Sequence, residues 1–216
     1  EFSDLGSGFN IAMQDLDIRG AGNLLGAEQS GFIMDMGYET YQKILAEAME
    51  ELGVETGIST ARTEESFVED CTIETDQPAM IPDSYIDITA EKIRIYKQLD
   101  SMTSDKEIDR VKSQLEDRFG EMPQDADNLF YVVKIRNLGG SLGFEKIIIK
   151  NGMMIMFFIA NQMSPYYKSK VFSGILQNIN ANDQLFNLKQ SEGKLKIVSR
   201  GIDSLPKALQ TLNKLK

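Results

Sequence analysis

The first chemical feature of this 216-residue sequence is a guanidinium set among glycines, Arg19-Gly20-Ala21-Gly22. Arginine presents a rigid, planar fork of donors that can grip a carboxylate, carbonyl or phosphate. Neighbours without a Cβ let such a loop swing between states. The glycines do not spell a nucleotide site. A dinucleotide fingerprint needs glycine three places after Gly22, where Leu25 stands. The only Gly-Lys pair, Gly193-Lys194, is followed by Leu195 instead of the Ser or Thr of a phosphate loop. The chain has no His and one cysteine, Cys71, so Ser-His and Cys-His nucleophile pairs, an internal disulfide and a Cys-paired zinc site are all ruled out. Carboxylate pairs remain, but among 33 acidic residues a pair carries no signal. No catalytic residue, metal ligand or bound cofactor is expected in this chain.

Two further groupings could bind a partner. After Ser104, helical spacing turns Ile108, Val111, Leu115 and Phe119 inward and sets Lys106, Arg110, Gln114 and Asp117 on the far side. By periodicity alone this is an ordinary solvated face. Nearer the C-terminus, Lys146, Lys150, Lys168, Lys170, Lys189, Lys194 and Lys196 interleave with Tyr166, Tyr167 and Phe172, a superficially nucleic-acid-binding composition. The charge is uneven. From Phe144 onward 11 basic residues face 4 acidic ones, whereas the preceding part has 12 basic against 29 acidic, for a net −10. The acidic excess peaks between Glu47 and Asp76, where Arg62 is the only positive charge, as in a solvated linker or helix surface. The alternative function, a nucleic-acid-binding module, would use the basic C-terminal half.

The elements that position these groups follow from spacing. Gly8 to Asp17 alternates like a half-buried strand, the glycine-dense stretch is loop, and Tyr41, Ile44, Leu45, Ala48, Met49 and Leu52 form one face of a helix. A polar, acidic stretch with a short strand candidate around Cys71 to Thr75 suggests a domain junction near Thr60. Helices are expected over Ala90–Leu99, from a Ser104/Glu107 capping box to Gly120, and from about Pro123 to Leu138. Two β-β-α units follow. Lys146–Lys150 and Met153–Ile159 turn at Asn151-Gly152, with a helix from Ser164-Pro165; Gln184–Gln190 and Lys194–Ser199 turn at Glu192-Gly193, with a helix from Ser204. The fold class is α+β: a strand, Gly-rich loop and helix over 1–60, then over 61–216 helices packed with a small antiparallel sheet. The longest apolar run, Met153 to Ala160, is too short to cross a bilayer, and the single Cys favours a reducing cytoplasmic setting. The opening Glu-Phe-Ser-Asp, without an initiator Met, reads as part of something longer.

The string from Asp15-Leu16-Asp17-Ile18-Arg19-Gly20-Ala21-Gly22-Asn23-Leu24-Leu25-Gly26 to Gln29-Ser30-Gly31 closely resembles the translocation motif shared by Mfd-type transcription-repair coupling factors and the branch-migrating helicase RecG. Met36-Gly37-Tyr38, Ile81-Pro82-Asp83, Arg94-Ile95-Tyr96-Lys97 and Leu115-Glu116-Asp117-Arg118-Phe119-Gly120 resemble the Mfd family in particular. The resemblance is strong to about Pro123; beyond it only the element pattern continues. It implies that Arg19 and Gln29, with Gly20, Gly22 and Gly26, couple ATPase-lobe movement to stepping on duplex DNA. ATP and Mg would then belong to the parent motor, whose task is removal of stalled RNA polymerase. It also implies a C-terminal domain that folds back on an N-terminal UvrA-binding domain and restrains recruitment of the excision-repair protein UvrA. Gln114 and Asp117 match the clasp positions. Gln114 is neutral where the family has an acid, and Glu116 is an alternative source of that charge.

Overall fold

A computed structural model describes residues 67–68, 70–191 and 193–216. The Arg19 loop with Gln29, Gly20, Gly22 and Gly26, the strand over Gly8–Asp17, the helix over Tyr41–Leu52 and the junction near Thr60 lie outside the described residues. Within them the chain runs β1 (Thr72–Thr75), α1 (Thr89–Asp100), α2 (Asp105–Phe119), α3 (Gln124–Ser141), β2 (Phe144–Lys150) and β3 (Met153–Phe158). It continues through a 3-10 turn (Pro165–Lys168), α4 (Lys170–Ala181), β4 (Asn187–Ser191), β5 (Lys194–Arg200), α5 (Leu205–Leu212) and a closing 3-10 turn (Asn213–Leu215). This is the α+β class that the two β-β-α units predict.

Each hairpin forms where its turn residues lie. Asn151 and Gly152 take φ of 53° and 69°, the two positive values a type I′ turn requires. The hairpins join through β3 and β5, and the sheet order is β1-β2-β3-β5-β4. The sheet is not wholly antiparallel, because β1 pairs parallel to β2, with Ile73 opposite Ile147. A parallel pair needs a long crossover, and here α1, α2 and α3 supply it. Alternation then splits the sheet into two faces. Ile73, Ile147, Ile149, Met154, Met156, Phe158 and Ile197 are buried in the core, whereas Ile148, Ile155, Phe157 and Val198 are half-buried and stand outside it.

α3 lies at the centre. It buries Leu129, Phe130, Val132, Val133 and Ile135 on several sides, as a helix sandwiched between layers must. It packs on β1 and β2, and it carries α1, α2 and α5. Arg136 and Asn128 are also buried on it, and both are bonded. Arg136 reaches the Asp100 carboxylate and, at 2.9 Å, its carbonyl oxygen, while the Asn128 amide donates to Pro78 at 2.8 Å.

Two local expectations fail for physical reasons. Ser104 has the extended backbone of an N-cap, but its side chain makes no capping bond, so the Ser104/Glu107 capping box does not form. The Glu107 and Ile108 amides instead donate to the Ser104 carbonyl oxygen at 3.1 Å each. The helix expected from Ser164-Pro165 is interrupted. Ser164 caps only the 3-10 turn, and the chain restarts at Ser169, whose hydroxyl accepts from the Phe172 amide at 3.2 Å. The interruption seats Tyr166 in the core, where its hydroxyl donates to Leu142 at 2.6 Å. Its ring lies over Gly143 (φ 81°), where a Cβ would meet it at 2.1 Å, so both the conformation and the contact require glycine there.

Candidate functional site

α2 is pinned on three sides and open on the fourth. Ile108, Val111 and Leu115 enter the core, and Phe119 rests edge-on against Tyr85 with centroids 5.9 Å apart. Lys134 of α3 bonds Asp109 at 2.5 Å, Lys112 pairs with Asp127 of α3, and Arg118 reaches Glu91 of α1 at 2.6 Å. Gly120 (φ 88°) ends the helix, its amide donating to Glu116 at 2.9 Å. These contacts fix both the position of α2 and its rotation about its own axis.

Lys106, Arg110, Gln114, Glu116 and Asp117 are all exposed, so the domain's own core does not consume the stripe read from the sequence. Among the described residues the side chains of Gln114, Glu116 and Asp117 make no hydrogen bond or ion pair. Helix geometry separates them. Gln114 and Asp117, three residues apart, lie about 60° apart around the axis and roughly 4.5 Å along it, with Arg110 one turn before Gln114. Glu116 lies about 160° around the helix from Gln114. Its charge acts instead on Tyr85 and Lys112. The Tyr85 hydroxyl titrates above its ordinary value, chiefly because it is desolvated and secondarily because Glu116 is near. The open face therefore presents two carboxylates, Asp117 and, two turns before Gln114, Glu107, beside a neutral amide and two cations.

Of the C-terminal lysines interleaved with aromatics in sequence, Lys168 and Lys170 stay on the segment that holds the aromatics and the other five lie apart from it. Tyr166 is buried, and Tyr167 and Phe172 are half-buried in a ring cluster with it, with centroids 5.0–5.4 Å apart. Lys146, Lys150, Lys189, Lys194 and Lys196 lie on the sheet instead. These aromatics are packing, not a platform on which bases could stack. Of the three methionines of β3, Met154 and Met156 are core and Met153 is half-buried. Among the described residues no group of three or more His, Cys, Asp or Glu could hold a metal ion, and no helix is long and apolar enough to cross a membrane. Sequence reasoning missed the ion pairs of two buried cations, Lys92 with the exposed Asp83 and Arg136 with Asp100. It also missed the polar and apolar rows on the outer sheet face, which only strand register reveals.

Comparison with known proteins places α2 in a shared domain. Residues 75–169 match the TRCF domain. The chain is 43% identical over 136 residues to a transcription-repair-coupling factor of Bacillus subtilis and 38% identical over 161 residues to one of Rickettsia typhi. Those alignments take in 63% and 74% of this chain but 11% and 14% of the two proteins, so the chain matches a small part of each. Among solved structures, the crystal structure of the C-terminal domain of a transcription-repair coupling factor superposes with a TM-score of 0.58, covering 68% of this chain and 89% of that one. At 16% identity, what that comparison establishes is the fold.

Proposed function

The chain belongs to the transcription-repair-coupling factor family, and from that premise we propose that its described part is a regulatory domain that docks through α2. The partner is the N-terminal domain of the same protein, and the contact restrains recruitment of UvrA. The observation that supports this reading is the state of Asp117 and Gln114. They are exposed and without a bonded partner among the described residues, on a helix whose other sides are fixed by core packing and three ion pairs. A charge held rigidly in water but left unpaired is available to an incoming cation at little ordering cost. The neutral Gln114 makes the contact weaker than a two-acid clasp by about 0.2–1 kcal/mol. Titration of the parent's N-terminal domain into this chain tests the reading by calorimetry. Asp117→Lys is expected to weaken binding by about fivefold, and equal affinity for both forms overturns the proposal.

The second half of the reading rests on sequence resemblance. Arg19, Gln29 and the glycines Gly20, Gly22 and Gly26 transmit the movement of ATPase lobes elsewhere in the protein to stepping on duplex DNA, which removes stalled RNA polymerase. ATP and Mg are cofactors of those lobes. In the intact parent Arg19→Ala is expected to retain ATP hydrolysis and lose translocation, and normal displacement of stalled polymerase by that variant contradicts the assignment.

A further inference from the structure

The outer face of the sheet carries three rows that register sets side by side. In the middle row Ile148 stands opposite Ile155 and Ile155 opposite Val198. On one side Lys146, Phe157, Lys196 and Lys189 are successive cross-strand partners. On the other side Lys150 pairs with Met153 and Met153 with Arg200. The aliphatic centre is half-buried and is not part of the core. Glu74, opposite Ile148 at the end of the middle row, pairs with Lys146 and, at 3.2 Å, with Lys150. Lys189, Lys194, Lys196 and Arg200 make no ion pair among the described residues. A concavity of about 340 Å³ at the β4–β5 end is lined by Lys189, Val198 and Arg200 together with Asp183, Phe186 and Asn187.

We infer that this face docks an acidic amphipathic helix of a partner protein, lying across the strands along the Ile148–Ile155–Val198 row. The dimensions agree. Two inter-strand spacings span about 9.6 Å, and apolar side chains at i and i+7 of a helix are roughly 10.5 Å apart. The basic rows lie about 7 Å to either side, where acidic side chains flanking the helix's apolar stripe would reach them. The charge sign selects the partner, because a chain of net −10 that concentrates cations on one apolar-centred face is complementary to an acidic surface. A second copy presenting the same face would be repelled. Single-stranded nucleic acid is the weaker fit, since Phe157 is the only aromatic in the rows and the Lys196 ammonium already sits 5.7 Å from its ring centroid. This inference is independent of α2, which packs on α3.

The test uses the 216-residue chain and a fluorescein-labelled peptide of about 18 residues, long enough to form a helix, with Leu at i, i+4 and i+7 flanked by Glu. Saturable anisotropy binding is expected, with loss of about tenfold or more in Lys196→Glu/Arg200→Glu. A peptide with Lys in place of Glu should regain binding on that variant. Both substitutions alter side chains at the sheet's surface, and unchanged thermal unfolding confirms that the variant folds. Asp117→Lys is expected to leave peptide binding unchanged, which separates this surface from α2. The inference is overturned by absence of peptide binding, by equal binding of a sequence-scrambled peptide, by binding that survives the double reversal, or by tighter binding of oligo-dT than of the peptide.

Discussion

At the seam between α1 and α3, Arg136 is 4% exposed and its guanidinium bonds both the carboxylate and the carbonyl oxygen of Asp100. One helix away, Arg110 and Asp117 stand exposed on α2 and make no ion pair among the described residues. The same side-chain types thus serve opposite purposes. In the seam a charge without its partner would be stranded in a poorly solvated place, so each member holds the other and the pair locks the helices together. On α2 water already solvates each charge, so removing one changes little in the fold and much in what the surface can meet.

The comparison can be broken first at the seam. Asp100→Ala removes the carboxylate bonded to the buried Arg136 guanidinium, whose Nε also lies 3.8 Å from the Asp70 carboxylate. It is expected to lower stability by about 3–5 kcal/mol, measured by urea denaturation; a loss no larger than that of a surface substitution would put the seam and the α2 face in one class. An intermediate case sharpens the contrast. Glu74 accepts from Lys146 and Lys150, which hold its carboxyl below the ordinary value of 4.5. Because the folded form binds the proton less readily, its stabilisation is fully present above about pH 4.5 and disappears as pH falls through the lowered value. The stability difference between wild type and Glu74→Gln is therefore expected at neutral pH and should vanish in acid, and a difference independent of pH would remove the ion pairs from the account. Smallest is the effect of Asp117→Lys on the fold, within about 0.5 kcal/mol. A larger loss would mean that Asp117 is structural.

What the sequence discloses divides along the same line between local and non-local physics. The inward faces of α1 and α2 follow from apolar spacing alone, and the Asn151-Gly152 turn follows from the backbone conformation those two residues accept. The exposure of Gln114 and Asp117 was likewise legible, because one face of α2 cannot be both core and surface. The parallel pairing of β1 was hidden because its partner lies beyond three helices. The restart at Ser169 was hidden because the seating of Tyr166 over Gly143, a tertiary contact, decides it. The sheet's basic rows escaped notice because a list of lysines in order does not reveal which stand opposite one another. The role given to α2 rests on resemblance, which supplies a partner that exposure alone cannot name.

That role is tested most directly by the affinity of the full-length protein for UvrA, with and without Asp117→Lys. If α2 holds the recruitment surface closed, reversing the charge of Asp117 should raise the affinity while urea stability stays at the wild-type value. An unaltered UvrA affinity in the well-folded variant contradicts the account.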